Sequence, residues 1–270
     1  VVNPDGSYST TADLSGLADG PLTVTASVSD TAGNPATATD TAALDTTAAI
    51  TVSMDDVNGG NAAAAPITGT TAGVEAGQTV TLVITDGTAT VTVTAVVNPD
   101  GSYSTTADLS GLADGPLTVT ASVSDTAGNP ATATDTAALD TSAAITVSLD
   151  NVNGGNAAAA PITGTTTGVE AGQTVTLQVT DGTATVTVAA VVNPDGSYST
   201  TADLSGLADG PLTVTATVSD IAGNPATATD TAALDTTAAI TVSLDDVNSG
   251  NVAAAPITGT TAGVEAGQTV

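Results

Sequence analysis

The sequence contains no lysine, arginine, histidine or cysteine, and its 28 acidic residues give it a formal charge of -28. Without histidine or lysine it cannot form a Ser-His-Asp triad or a Schiff base, and without cysteine it has neither a thiolate nucleophile nor a disulfide. The missing basic residues also remove the surface charge that attracts nucleic acids and anionic lipids. We therefore expect no enzyme active site and no nucleic-acid partner.

Aromatic residues are nearly absent as well, since the chain has no Phe, no Trp and only three Tyr. No apolar run approaches the roughly 18 to 20 residues that span a bilayer, so no membrane insertion is expected. Even so, 41% of the residues are hydrophobic, and Val, Ile and Leu alternate with Thr and Ser, which indicates folding rather than disorder. The core is expected to be thin and to need ties beyond its own packing.

The sequence repeats itself with a period of 95 residues. "VVNPDGSYSTTADLSGLADGPLTVT" begins at Val1 and recurs at Val96 and, with the same letters, at Val191. This period predicts complete repeats over 46–140 and 141–235, the C-terminal part of a repeat over 1–45 and the N-terminal part of one over 236–270. The chain starts and stops inside the pattern, so we interpret it as a piece of something longer, whose end parts fray or pair with other molecules.

Each complete repeat shows the pattern of an all-β sandwich, in which short runs rich in Val, Ile and Thr are separated by turn residues. Period-2 alternation points Val80, Leu82 and Ile84 to one face and Thr or Ser to the other. Val83, between them, becomes Gln178 in the next copy, as expected of an outward position. The seven strands predicted in the first complete repeat lie near 48–54, 66–71, 78–85, 88–97, 102–108, 116–124 and 131–138.

Several stretches carry a family resemblance: "AAITVSLDDVN", "PITGTTAGVEAGQTVTL", "NPDGSYSTT", "VSDTAGNP" and "LDTTA". Over its whole length the chain resembles the bacterial Ig-like tandem repeats of giant type I-secreted RTX/BapA-like surface adhesins. The resemblance implies tandem Ig-like β-sandwiches located outside the cell, at the bacterial surface. It also implies Ca²⁺-rigidified extender modules that serve cell adhesion and biofilm formation.

An odd number of strands, each crossing the sandwich once, would make the chain enter and leave a repeat at opposite ends. The repeats would then stack end to end as a rod, and each would add on the order of 35 to 45 Å. The acids of adjacent repeats would meet at each junction. Because oxygen ligands without nitrogen or sulfur select Ca²⁺, we predict Ca²⁺ sites there. The predicted ligands are Asp45, Glu75, Asp125, Asp140, Glu170, Asp220, Asp235 and Glu265.

The "DDVNGGN" loop offers a second, weaker set of candidate ligands. Its spacing does not match the twelve-residue EF-hand loop, and Asn151 replaces Asp56 in the middle copy, which weakens a role that depends on charge. For all of these acids the alternative is an ordinary turn residue, because Asp bonds its own backbone in turns, and this alternative is favoured for Asp100, Asp108 and Asp114. The weaker candidates are Asp55, Asp56, Asp150, Asp245 and Asp246.

The function expected from repetition and resemblance is that of a spacer that projects a distal adhesive domain. Its partners would be Ca²⁺ and the adjacent repeats of the same chain, and the sequence does not name the adhesion target. Two alternatives stay open. In the first, the repeats themselves bind a glycan, a surface or a neighbouring cell, although they lack the aromatic platform and the Arg of a binding hot spot. In the second, the repeats are an accessory region of a secreted enzyme.

Overall fold

The computed structural model describes every residue from Val1 to Val270. The chain divides into two compact units, one made of Val1–Asp56 with Ala62–Leu139 and the other of Val57–Asn61 with Asp140–Val270. The short segment Val57–Asn61 therefore belongs to the second unit, although its chain neighbours on both sides belong to the first.

The elements of the first half of the chain are short strands separated by turns, with one three-residue 3-10 turn at Ala62–Ala64. Their limits follow the alternating Val, Ile and Thr runs, because a β-branched residue favours extended backbone and Gly, Pro and Asp end it. In chain order they are β1 (Gly20–Ser29), β2 (Pro35–Leu44), β3 (Ala49–Ile50), β4 (Val57–Asn58), β5 (Ala65–Ala72), β6 (Thr79–Thr85), β7 (Thr90–Val96), β8 (Ser102–Ala107), β9 (Gly115–Ser124) and β10 (Pro130–Asp140).

The second half repeats these elements and has its own 3-10 turn at Ala157–Ala159. No helix of the structure has the length and apolar character needed to cross a membrane. The strands are β11 (Ala144–Ile145), β12 (Ser148–Leu149), β13 (Val152–Asn153), β14 (Ala160–Thr167), β15 (Thr174–Thr180), β16 (Thr185–Val191), β17 (Ser197–Ala202), β18 (Gly210–Ser219), β19 (Pro225–Asp235), β20 (Ala239–Ile240), β21 (Ser243–Leu244), β22 (Ile257–Thr258) and β23 (Thr261–Ala262).

The first unit contains a two-sheet sandwich. One sheet holds the antiparallel strands β10-β9-β6-β7 in that order, and the other holds β3-β5-β8. Alternate side chains fill the space between the sheets, and those of Val80, Leu82, Ile84 and Val119 are fully buried. The predicted all-β sandwich and its inward face are thus confirmed.

The second unit contains the same sandwich. One sheet has the order β13-β19-β18-β15-β16, in which only the β13 and β19 pair is parallel. In the other, β14 pairs with β11, β12 and β17. The core includes Ile162, Leu177 and Leu212 together with the ring of Tyr198, which is its single aromatic residue.

The first predicted strand, 48–54, is present but interrupted. The structure has β3 at Ala49–Ile50 and then only a single bridge between Ser53 and Thr68. Between them the carbonyl of Thr51 accepts a hydrogen bond from the Tyr103 hydroxyl, a side-chain donor from another strand. This hydrogen bond takes the place of a strand-to-strand hydrogen bond in the sheet. Because Tyr103 lies 52 residues from Thr51, the alternating pattern of residues 48–54 does not predict it.

The two partial repeats expose their apolar faces. The strands β1 and β2 pair along their whole length, yet Val24 is 63% exposed and Val28 is 53% exposed. In 236–270 the same holds for Ile240 and Leu244. No strand of this chain covers these faces, so the aliphatic cores lie in 46–140 and 141–235.

Candidate metal centre

The "SDTAGN" loop of the first unit links two of the three predicted ligands through one asparagine. The Asn129 side-chain amide donates to the Asp125 Oδ2 at 2.7 Å and to the backbone carbonyl of Asp45 at 3.1 Å. The Asn129 backbone N–H donates to Asp125 Oδ1 at 2.8 Å. These bonds, first of all the one from the Asn129 side chain, lower the pKa of Asp125, so it stays ionised although only 5% of it is exposed.

The third predicted ligand, Glu75, lies beside the same loop. Its Oε2 accepts the Thr126 backbone N–H at 2.9 Å, and its Oε1 accepts the Thr126 hydroxyl. The hydroxyl bond and then the backbone bond lower the pKa of Glu75, while the nearby charge of Asp125 acts in the opposite direction. Glu75 therefore bonds the residue that follows Asp125, so the structure brings these two predicted ligands from different loops to the same place.

The second unit repeats this arrangement. The Asn224 side chain donates to Asp220 Oδ2 at 2.7 Å and to the Asp140 carbonyl at 2.9 Å. The backbone N–H of Ile221 donates to Glu170 Oε2 at 2.9 Å. Isoleucine has no hydroxyl, so the hydroxyl bond of the first copy has no counterpart here. Asp220 and Asn224 are each only 5% exposed.

For the third predicted Ca²⁺ site, this sequence contains two of the predicted ligands, Asp235 and Glu265. Asp235 Oδ1 accepts the Thr237 backbone N–H at 3.3 Å, and Glu265 is exposed. The three "SDxAGN" loops of the sequence begin at Ser29, Ser124 and Ser219, so all of them precede Asp235. These two residues are therefore not brought together with a buried aspartate.

The weaker candidate Asp56 has a structural partner. Its Oδ1 accepts the Ala138 backbone N–H at 2.7 Å, and in the next copy Asn151 Oδ1 accepts the Ala233 backbone N–H at 2.8 Å. A neutral amide makes the same bond, so this position requires an acceptor and not a charge. Metal binding by this loop stays a prediction, and its other candidates are all exposed: Asp55, Asp150, Asp245 and Asp246.

Several other acids act as turn residues. Asp100 Oδ1 accepts the backbone N–H and the hydroxyl of Ser102, and Asp108 does the same with Ser110. Each aspartate thus bonds a residue two positions further on, the behaviour that the sequence predicts for aspartates in turns.

Two sets of junction contacts were not foreseen from the sequence. Asp19, in "LADG", accepts from the Thr46 hydroxyl at 2.7 Å and from the Thr47 hydroxyl at 2.9 Å, across the boundary between repeats. Asp209 repeats the contact with Thr236 at 2.9 Å. The second set is made by the asparagine of "AGN", whose side chain bonds both the aspartate of its own loop and the backbone carbonyl of the linker aspartate. Their only sequence signal is their recurrence in every copy, because the partners lie 27 and 84 residues away.

The residues at the junctions fit calcium in their chemistry but are not gathered into a closed cluster. Their donors are carboxylate, amide and backbone oxygens, which are the ligands that Ca²⁺ takes. The structure holds no group of three or more acidic side chains close enough together to bind a metal ion. Glu75 instead bonds Thr126, and the Asp45 contact is made by its backbone.

No protein-family model matches the chain, and no curated protein does so. Among solved structures, a tetra-tandem repeat from the extending region of a large adhesion protein is 42% identical, over 96% of this chain and 68% of that one, with a TM-score of 0.39. This chain belongs to the bacterial Ig-like tandem repeats of large adhesins. The sequence identity alone carries that assignment.

Two further structures are similar to this adhesin segment. The Ca²⁺-stabilized adhesin with which an Antarctic bacterium binds ice is 29% identical over 93% of this chain and 66% of that one, with a TM-score of 0.42. A single bacterial immunoglobulin-like domain from the M. primoryensis ice-binding adhesin is 32% identical over 34% of this chain and 96% of that one, with a TM-score of 0.27.

Proposed function

We propose that this segment is part of the extender of a bacterial surface adhesin, located outside the cell. The observation that carries the proposal is the 42% identity with an adhesin extending region over 96% of the chain. The near-identical copies support it, because a spacer gains length from repetition, whereas a binding surface needs only one good site. The role is mechanical and not catalytic.

We further propose that Ca²⁺ binds at the repeat junctions. The residues that would hold it are the linker aspartate, the glutamate of "VEAGQ" and the aspartate of "SDxAGN". In the first unit these are Asp45, Glu75 and Asp125, and in the second they are Asp140, Glu170 and Asp220. The support is the buried aspartate beside the glutamate in a chain that has no cationic side chain.

The bound ion would neutralise the junction acids and add stability outside the cell. For a site with Kd of about 10⁻⁴ to 10⁻³ M, free Ca²⁺ at about 100 times Kd adds roughly 2.7 kcal/mol, and submicromolar Ca²⁺ adds almost nothing. The segment would then be soft during export and stiff at the surface. Small-angle scattering that shows the same stiffness with and without Ca²⁺ would contradict this part.

The decisive measurement is the thermal midpoint of the whole chain in excess EGTA, in millimolar Ca²⁺, and in Mg²⁺ at equal ionic strength. We expect a rise that is specific to Ca²⁺, because Mg²⁺ demands a stricter geometry and keeps its waters. An equal rise in Mg²⁺ would mean that charge screening alone stabilises this acidic chain.

A matched pair of double variants assigns the site. Glu75→Gln with Glu170→Gln should abolish most of the Ca²⁺-specific rise, because the amide is a weaker ligand for a hard cation. Asp100→Asn with Asp195→Asn should keep the rise, since those acids bond only their own turns. Equal responses of the two variants would rule out the proposed ligands while leaving the extender role intact.

A further inference from the structure

The "VNGG" turn that follows Val152 places an asparagine directly before a glycine. Asn153 and Gly154 are both exposed. The backbone N–H of Asn153 donates to the side-chain oxygen of Asn156 at 2.7 Å, and the side-chain oxygen of Asn153 accepts the backbone N–H of Gly155 at 2.8 Å. These two bonds hold the side-chain carbonyl of Asn153 beside the main chain that follows it.

The hydrogen bond from Gly155 makes this carbonyl more electrophilic. A donor on a carbonyl oxygen stabilises the negative charge that develops on the oxygen when a nucleophile attacks the carbon. The backbone nitrogen of Gly154 can attack the Cγ atom of Asn153 and close a succinimide ring. Because glycine has no side chain, nothing on the attacking residue obstructs this closure.

The "VNSG" turn has the same local hydrogen bonds and a different attacking residue. The backbone N–H of Asn248 donates to the side-chain oxygen of Asn251 at 2.7 Å, and the side-chain oxygen of Asn248 accepts the backbone N–H of Gly250 at 2.8 Å. The nitrogen that would attack belongs here to Ser249. Its side chain and its more restricted backbone oppose ring closure.

Six other asparagines cannot react in this way because each is followed by proline, whose nitrogen has no proton to lose. They are Asn3, Asn34, Asn98, Asn129, Asn193 and Asn224. The side chains of Asn129 and Asn224 bond the aspartates of their own "AGN" loops. The asparagines that hold these loops are therefore protected from a reaction that is open to Asn153.

We propose that Asn153 is a site of spontaneous deamidation, which the local structure of the "VNGG" turn promotes. The Gly154 nitrogen forms a bond to Cγ of Asn153, and the side-chain amide leaves as ammonia with the proton that this nitrogen gives up. Water then opens the succinimide ring at one of its two carbonyls. The product at position 153 is aspartate or isoaspartate, with one more negative charge.

The reaction weakens the pairing of β13 with β19. Asn153 is the last residue of β13 and pairs with Asp235 of β19. Like charges on neighbouring strands repel, and this chain has no cationic side chain to offset them. In isoaspartate the main chain also runs through the former side-chain carbon atoms, which shifts the register after this residue.

Peptide mass spectrometry of the whole chain, incubated in mildly alkaline buffer, tests the proposal. Samples are digested in acid with pepsin, because acid keeps the attacking nitrogen protonated and stops the reaction. We expect the Asn153 peptide to gain the mass of deamidation at least about tenfold faster than the Asn248 peptide. The peptide is distinguishable from that of the first copy, since Leu149 stands where the first copy has Met54.

Two reciprocal variants isolate the attacking residue. Gly154→Ser should lower the deamidation rate of Asn153 to that of Asn248. Ser249→Gly should raise the rate of Asn248 to that of Asn153. The second variant only removes atoms from an exposed turn, so it tests the proposal even where the first fails to fold.

Incubation in urea separates the effect of the turn from that of the sequence. Unfolding removes the Gly155 hydrogen bond and keeps the Asn-Gly pair, so we expect Asn153 to react at least as fast in the folded chain. A faster reaction in urea would mean that the fold protects Asn153 and would overturn the proposal. Equal rates at Asn153 and Asn248, or an unchanged rate at Asn248 in Ser249→Gly, would overturn it as well.

Discussion

Asp86 shows how an acidic residue is accommodated in a chain without lysine, arginine or histidine. Its Oδ1 accepts the backbone N–H groups of Thr88 and Ala89, and its Oδ2 accepts that of Ala113 at 2.9 Å. These bonds, first of all the one from Ala113, hold the pKa of Asp86 well below its usual range. Backbone amides, which every chain has, replace the missing cations at this turn.

The pH dependence of stability should report this interaction. The pKa of Asp86 is lower in the folded chain than the value of about 3.9 in an unfolded one, so its stabilising effect is complete above that pH and is lost as the pH falls toward the folded pKa. We expect Asp86→Asn to lower the thermal midpoint at pH 7, with a difference from the parent that shrinks below about pH 4. A difference that stays constant down to pH 2 would contradict the assignment.

At the scale of elements, the packing of β5 against β8 depends on a glycine opposite a tyrosine. Gly69 pairs with Tyr103, and a Cβ on Gly69 would lie 2.2 Å from the Thr51 carbonyl oxygen and 2.3 Å from the tyrosine ring. The missing side chain therefore lets the ring cross the strand and donate its hydroxyl to Thr51. Burial raises the pKa of Tyr103 to about 12, so it remains a donor.

Gly69→Ala should destabilise the first complete repeat by about 3 kcal/mol or more, because the new methyl group collides with backbone on one side and a buried ring on the other. Denaturant unfolding of the whole chain measures this change. Gly111→Ala is the control, since nothing lies within 4 Å of its Cβ position, and it should change stability by less than about 0.5 kcal/mol. Similar losses in both variants would show that the tyrosine pocket is not the cause.

At the scale of the whole molecule, two identical stretches of sequence differ in how deeply they are buried. "AAITVSLD" occurs at 143–150 and again at 238–245. In the first place Leu149 is 3% exposed inside the core, and in the second Leu244 is 57% exposed. In the first copy, β14 and the strands after it complete the sandwich in which Leu149 is buried.

Hydrogen exchange should separate these two copies. Backbone amides of β14 should exchange far more slowly than those of the equivalent residues 255–262, because burial and a complete ladder protect only the first. Mass spectrometry of the monomeric chain makes the comparison within one sample. Uniformly slow exchange over 236–270 in a monomer would contradict the exposed state of this segment.

Much of the fold follows from local sequence pattern. The 95-residue period, the predicted strands after the first and the inward face of Val80, Leu82 and Ile84 are readable because side chains alternate along a strand whatever surrounds it. The sequence also predicts which kind of metal ion could bind, because its candidate ligands are all oxygen atoms, which hard cations prefer.

The tertiary structure alone decided which groups meet across long sequence distances. The break after Ile50 depends on a tyrosine 52 residues from its acceptor, and Asn129 finds a partner 84 residues away. No local pattern encodes such contacts. The sequence by itself therefore determined the repeat, the strands and their facing, because these depend on neighbours along the chain. Which asparagines bridge the junctions, and which copies of one sequence are buried, depend on neighbours in space.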